Sequence, residues 1–163
     1  MSTLILYATR YGCTEKCANQ LSDKIKGQVD VKNLARSKDI ALEPYSQIII
    51  GGSIMAGKIN KEVAGYVKKN LDTLLNKKVG LFLCCLEHGK QAEKQMEDGF
   101  GTQLVERAIA RGFFGGEIEL KKLNFLFRGM MKKMLKTDQD VSRLLPENID
   151  NFAAVLNDGI KDE

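Results

Sequence analysis

Apolar and polar positions along this chain follow two periods that alternate from segment to segment. The runs TLILYAT (Thr3 to Thr9), SQIIIGGSI (Ser46 to Ile54) and KKVGLFLCCL (Lys77 to Leu86) have the length and composition of strands buried on both faces. VDVKNL (Val29 to Leu34) alternates as a half-buried strand would. Helical spacing fills the intervals. Ala18, Leu21 and Ile25 share one face of a helix that Gly27 closes, and Val63, Tyr66, Val67, Leu71 and Leu74 share one face of a helix over Glu62 to Leu75. After the fourth strand a polar, Gly-punctuated connection reads as a loop insertion at residues 90–101. It leads to a helix near Thr102 to Ala110 and a short fifth strand in FFGGEIEL.

Strands alternating with helices imply parallel βαβ units with right-handed crossovers. The expected fold is α/β, a three-layer, doubly wound, five-stranded parallel sheet of order 2-1-3-4-5, formed by one domain over residues 1–163. Two further helices are predicted, Leu123 to Leu135 and Pro146 to Leu156, the second with Pro146 in its first turn. One helix suffices to close such a sheet, so the first is an extra amphipathic element before the C-terminal helix.

A hydrophobic fraction of 44% and a charged fraction of 28% exclude wholesale disorder. Met1 runs almost straight into a strand, with no basic leader and no run long enough to span a bilayer, so a cytoplasmic location is expected. The cysteines at 13, 17, 84 and 85 make no C-x2-C pair, and His88 is the only histidine, so no metal site is expected. Adjacent on a strand, Cys84 and Cys85 point to opposite faces, and core packing is expected of them and of Cys17.

Charge changes the picture in one place. The net charge is +4, yet residues 121–136 hold six basic residues (Lys121, Lys122, Arg128, Lys132, Lys133, Lys136) and no acid. The rest of the chain carries 19 basic and 21 acidic residues, a net of −2. Leu123, Leu126, Phe127, Met130, Met131, Met134 and Leu135 form a continuous apolar face on the same segment, with the bases largely opposite. Two readings stand: a helix packed on the sheet or in a dimer interface, or a basic amphipathic helix on an anionic membrane surface. Nucleic acid is not an expected partner, because no recognition motif accompanies the charge.

Ligands of such sheets sit outside the carboxyl ends of the strands at the switch point, here between the first and third strands. Three loops meet there. In TRYGCT (Thr9 to Thr14) two hydroxyls, a glycine and the N–H groups opening the next helix suit a phosphate. Neither a Walker loop nor G-x-G-x-x-G is present. GGSIMAGK (Gly51 to Lys58) offers backbone that can lie against a flat ring and donate to its edge, and CCLEHG (Cys84 to Gly89) supplies the third wall. Cys13 sits where a helix dipole favours a thiolate and a bound phosphate opposes one, so it is expected to act through its backbone N–H.

These motifs resemble the flavodoxins. The tail GGEIEL, FLFRGMMKKMLKT and a final helix resemble more closely the flavodoxin-like, menaquinone-dependent protoporphyrinogen IX dehydrogenases of bacteria. The resemblance spans nearly the whole chain. It implies FMN, with its phosphate on Thr9, Arg10, Tyr11, Gly12, Cys13 and Thr14. The ring would lie between Ser53, Ile54, Met55, Ala56 and Gly57 on one side and Cys85, Leu86, Glu87, His88 and Gly89 on the other. With no Trp in the chain, Met55, Leu86, His88 or an aromatic such as Phe100 would stack on it. It further implies an oxidoreductase of haem biosynthesis with a porphyrinogen substrate and a quinone or other redox partner; the membrane reading of residues 121–136, taken on its own pattern, would put such a cytoplasmic protein at the inner face of the membrane. The rival readings are a flavodoxin-type electron carrier with no substrate of its own, and a domain that binds no flavin. No side chain stands out as a general base, and the oligomeric state is left open.

Overall fold

The computed structural model describes residues 1–158. Its elements are, in order, β1 (Ser2–Tyr7), α1 (Cys13–Ser22), β2 (Gln28–Asn33), β3 (Gln47–Met55), β4 (Lys58–Ile59), α2 (Lys61–Lys69), α3 (Leu71–Leu75), β5 (Lys78–Cys84), α4 (Gly89–Phe100), α5 (Thr102–Arg107), β6 (Ala110–Phe113), β7 (Gly115–Ile118), a 3₁₀ turn (Leu120–Lys122), α6 (Phe125–Leu135), β8 (Val141–Leu144) and α7 (Pro146–Asp158).

Five strands pair in parallel in the order β2-β1-β3-β5-β6, which is the 2-1-3-4-5 arrangement expected of the main strands. The strand period of two sends successive residues to opposite faces, so each central strand feeds two cores. Leu4, Leu6, Ile48 and Ile50 pack with Val63 and Val67 of α2, Met96 and Phe100 of α4 and Leu104 of α5. Ile5, Ile49 and Phe82 pack on the other face with Cys17, Ala18 and Leu21 of α1 and Ile149, Phe152 and Leu156 of α7. This is why β1, β3 and β5 read as unbroken apolar runs. At Gly51, opposite Phe82 in the register, a β-carbon would come within 1.9 Å of the Phe82 ring. The missing side chain leaves room for Phe82 to stack on Phe114, 4.7 Å between centroids, with Phe152 edge-on.

Several expectations are corrected. Residues 90–101 are not a loop insertion: Gly89–Phe100 is a helix that buries Ala92, Met96 and Phe100 at i, i+4 and i+8. The helix expected over Glu62 to Leu75 is two, broken at Asn70, whose backbone leaves the helical region and whose side chain joins its own N–H in donating to the Tyr66 carbonyl. The helix near Thr102 ends at Arg107, because Ala110 already opens β6. The fifth parallel strand is thus Ala110–Phe113, and GGEI moves into β7, which pairs antiparallel with β8 in a ribbon of its own. The helix carrying Ala18 and Leu21 stops at Ser22, with Ile25 buried just beyond it.

The basic segment lies between β7 and β8. Asn124 caps α6 by accepting from the Phe127 N–H at 2.9 Å. Its seven-residue apolar stripe divides: Leu123, Phe127, Met131 and Leu135 turn toward Tyr11, Ile118 and Leu120, while Leu126, Met130 and Met134 stay exposed. Phe125, off that stripe, is 87% exposed. The charge is also smaller than the count suggests. The Arg128 guanidinium donates to the carbonyls of Leu120, Lys121 and Leu123, Lys122 pairs with Glu119 at 2.8 Å, and Lys132 faces Asp138 at 3.9 Å.

Candidate functional site

Three loops leave the carboxyl ends of β1, β3 and β5 and converge on one cavity. The first is organised by Gly12, whose φ of 99° lies in the left-handed region and turns the chain from β1 into α1. Its N–H donates to the Thr9 hydroxyl at 2.8 Å, which closes the turn from within. No side chain caps α1, so the first-turn N–H groups are open to an anion. Thr14 is fully buried, and its hydroxyl oxygen has no hydrogen-bond partner among the described residues.

The second loop is a hairpin. Met55 pairs with Lys58 and Ile54 with Ile59, leaving Ala56 and Gly57 as a two-residue turn with φ of 51° and 77°. A left-handed alanine stores strain that a glycine would not. Asn60 braces the hairpin by accepting from the Ser53 N–H at 2.7 Å and from its hydroxyl at 3.2 Å. The third loop begins at Cys85, whose thiol burial pushes up to about 11, and which donates to the Glu87 carbonyl.

Thr9, Arg10, Tyr11, Cys13 and Thr14 line the cavity together with Ser53, Ile54, Met55, Ala56 and Gly57, and with Cys85, Leu86 and Glu87. Gly12 shapes the turn without lining it, and His88 and Gly89 are exposed and lie outside. Phe100, the last residue of α4, is buried in the core, and with His88 it lies outside the cavity and is removed as a stacking residue. Met55 and Leu86 remain.

Sequence reasoning missed three contributors. Gln95 of α4 is 93% buried and reaches the cavity with a side-chain oxygen that has no partner among the described residues. Glu117 and Ile118 of β7 form part of the wall, and so do Leu123, Met131 and Met134 around α6. Arg10 joins the two halves, its guanidinium 5.1 Å from the Phe127 ring centre and 5.7 Å from that of Tyr11. Only the Ala92-Met96-Phe100 spacing could have pointed to α4, and through it to Gln95.

Cys17 and Cys84 pack in the core as expected, and they also come together there with Cys13. Cys13 and Cys17, one turn apart on α1, meet Cys84 at the end of β5, with all three sulfurs within 4.8 Å of one another. The thiols of Cys17 and Cys84 donate toward Cys13 and hold it well below the ordinary thiol range, helped by the Glu117 N–H and by Lys16. The same contacts, with burial, push Cys17 and Cys84 up.

The site's own atoms fit FMN. The orphaned Thr14 hydroxyl and the uncapped α1 amides face where a phosphate would sit, the hairpin offers backbone to a ring edge, and the Gln95 oxygen awaits a donor such as a ring imide. A parallel sheet of this order with three loops at its switch point defines a doubly wound α/β protein of flavodoxin-like topology. Within that class the chain belongs to the flavodoxin family, the flavodoxin-domain family model matching residues 4–143. Protoporphyrinogen IX dehydrogenase [quinone] of Escherichia coli (strain K12) is 36% identical over 77 residues, 45% of this chain and 42% of that protein. The match thus spans less than half the length of the curated relative. Oxidised flavodoxin 2 from Bacillus cereus superposes with a TM-score of 0.60 at 21% identity over 98% of this chain and 99% of that one. The Fusobacterium nucleatum flavodoxin bound to flavin mononucleotide gives 0.53 at 14% identity, over 97% and 98%.

Proposed function

We propose that the chain is an FMN-dependent oxidoreductase resembling quinone-dependent protoporphyrinogen IX dehydrogenase, taking electrons from a porphyrinogen-type donor and passing them to a quinone. The observation that carries it is the apolar wall of Leu123, Met131 and Met134, which borders the same cavity as the ring hairpin and gives a large, mainly apolar reactant a surface beside it. The partial identity to the Escherichia coli enzyme supports the same reading. FMN when bound supplies the electron and hydride chemistry. The chain's residues bind and orient: Thr14 and the α1 amides hold the phosphate, Ser53 to Gly57 meet the ring edge, and Gln95 accepts from it. No general base is assigned.

Anaerobic mixing of the flavin-loaded protein with protoporphyrinogen IX is expected to bleach the visible flavin bands, and a menaquinone analogue to restore them. A flavin reduced by a reductase protein but untouched by the porphyrinogen would refute the enzyme and leave the electron carrier.

The proposed setting is the inner face of a membrane. Phe125, Leu126, Met130 and Met134 form an exposed apolar patch, and Lys121, Lys133 and Lys136 nearby have no ion-pair partner among the described residues. No helix among the described residues is long and apolar enough to cross a membrane. Flotation with vesicles containing anionic lipid is expected to carry the protein and to lose it when Phe125 and Leu126 become Glu; flotation unchanged by both substitutions removes the idea.

A further inference from the structure

We propose that Cys13, Cys17 and Cys84 form a three-thiolate site for a soft monovalent d¹⁰ cation, copper(I), set in the wall of the cofactor cavity behind the phosphate turn. The inference stands on the sulfurs alone and does not depend on the flavin reading.

Three points no more than 4.8 Å apart have a common centre within about 2.8 Å of each, and a metal–sulfur bond is about 2.3 Å. Small side-chain rotations of about half an ångström therefore bring all three sulfurs to bonding distance. A disulfide would require one pair to close to about 2.05 Å and leave the third thiol stranded beside it.

The elements that hold the sulfurs are rigid. Cys13 and Cys17 share one face of α1, and Cys84 ends a strand paired with β3 on one side and β6 on the other. Cys17 and Cys84 are 0% and 3% exposed, whereas Cys13 is half-buried and, with Cys84, lines the cavity, so an ion has a route in. Cys85 belongs to the other face of the strand and is excluded.

Ligand type and number select the ion. Thiolates favour copper(I) and zinc among biological metals, and zinc takes four donors in structural sites. Among the described residues the donor set stops at three, with no carboxylate or imidazole in the group. Three sulfurs and no fourth donor suit a trigonal copper(I). The resulting negative complex lies near the N-terminal end of α1, where the helix dipole favours an anion. Copper enters already reduced, and binding displaces thiol protons without transferring electrons.

The test is anaerobic titration of the whole protein with copper(I) against a colorimetric copper(I) chelator, followed by X-ray absorption of the loaded sample. One equivalent retained with three sulfur neighbours is expected. Cys84→Ser should weaken retention at least tenfold, and Cys85→Ser should leave the stoichiometry at one. Two sulfur neighbours, retention unchanged by Cys84→Ser, or a preference for zinc over copper(I) would overturn the proposal. Should Cys84→Ser fail to fold, the sulfur count in the unsubstituted protein decides by itself.

Discussion

Thr14→Val separates what the hydroxyl does for the fold from what it does for a ligand. The residue is fully buried in the first turn of α1, and its oxygen finds no partner among the described residues. Valine keeps the β-branched shape, so helix propensity and packing change little. An unsatisfied buried hydroxyl costs about 1–3 kcal/mol, so the ligand-free variant should be as stable as the parent or more so by about 1 kcal/mol or above. In the proposed FMN complex that hydroxyl would donate to a phosphate oxygen, and a charge-assisted hydrogen bond contributes about 1.5–3 kcal/mol. At tenfold per 1.4 kcal/mol, FMN affinity should fall by about 10- to 100-fold. Urea unfolding of the ligand-free protein reads the first quantity, and quenching of flavin fluorescence reads the second. Riboflavin, which lacks the phosphate, should bind both proteins equally. A variant that loses stability without ligand while its FMN dissociation constant moves less than about threefold would refute the reasoning, since the hydroxyl would then serve the protein and not the phosphate.

Three other outcomes follow from single contacts. Gly51→Ala drives a β-carbon into the buried Phe82 ring and should destabilise by about 1–3 kcal/mol or more in urea, with a flavin-site defect only as a consequence. Ala56→Gly relieves the left-handed alanine of the ring hairpin and should stabilise the ligand-free protein by about 1 kcal/mol in the same assay; a loss of that size would mean the turn needs the methyl group. Burial, with Glu43 adding, pushes the Tyr66 hydroxyl up to about 12. The folded chain therefore keeps a proton that the unfolded chain releases near pH 10. That contribution is complete below about pH 10 and is lost as pH rises toward the folded value. Stability should slope down over that interval, and Tyr66→Phe, which also removes the bond to the Ile40 carbonyl, should flatten the slope.

What the sequence disclosed tracks how each signal is encoded. β1, β3 and β5 were legible because burial on both faces writes an apolar run that no helix shares in so short a length. The sheet order followed from the alternation of elements. The β3–β4 hairpin was hidden because a two-residue turn leaves only Lys58 and Ile59 to announce a strand. α4 was hidden by composition, since glycines, glutamines and acids surround its Ala92-Met96-Phe100 face. The fifth strand slipped by a few residues because the Gly pair that seemed to sit inside it begins a separate ribbon. At the site, the turn and hairpin residues were local and readable. Gln95 and the α6 wall were not, because folding brings them from distant parts of the chain. The thiol cluster was half legible: the spacing of Cys13 and Cys17 shows one face, and strand parity sets Cys84 apart from Cys85. Only the packing of α1 over the sheet unites them.

The ribbon of β7 and β8 has a topological result. Gly115 pairs with Leu144 and Ile118 with Val141, so the chain leaves the sheet after β6 and comes back beside its point of departure before α7 begins. Everything from residue 119 to 140 is closed off by those pairs, and its loop entropy is settled locally, with little call on the five-stranded sheet. Such an excursion can be lengthened, exchanged or grafted while the phosphate turn and ring hairpin stay as they are. The binding frame and the outer wall are thereby separable pieces of chain, and a change of wall need not touch the folding core.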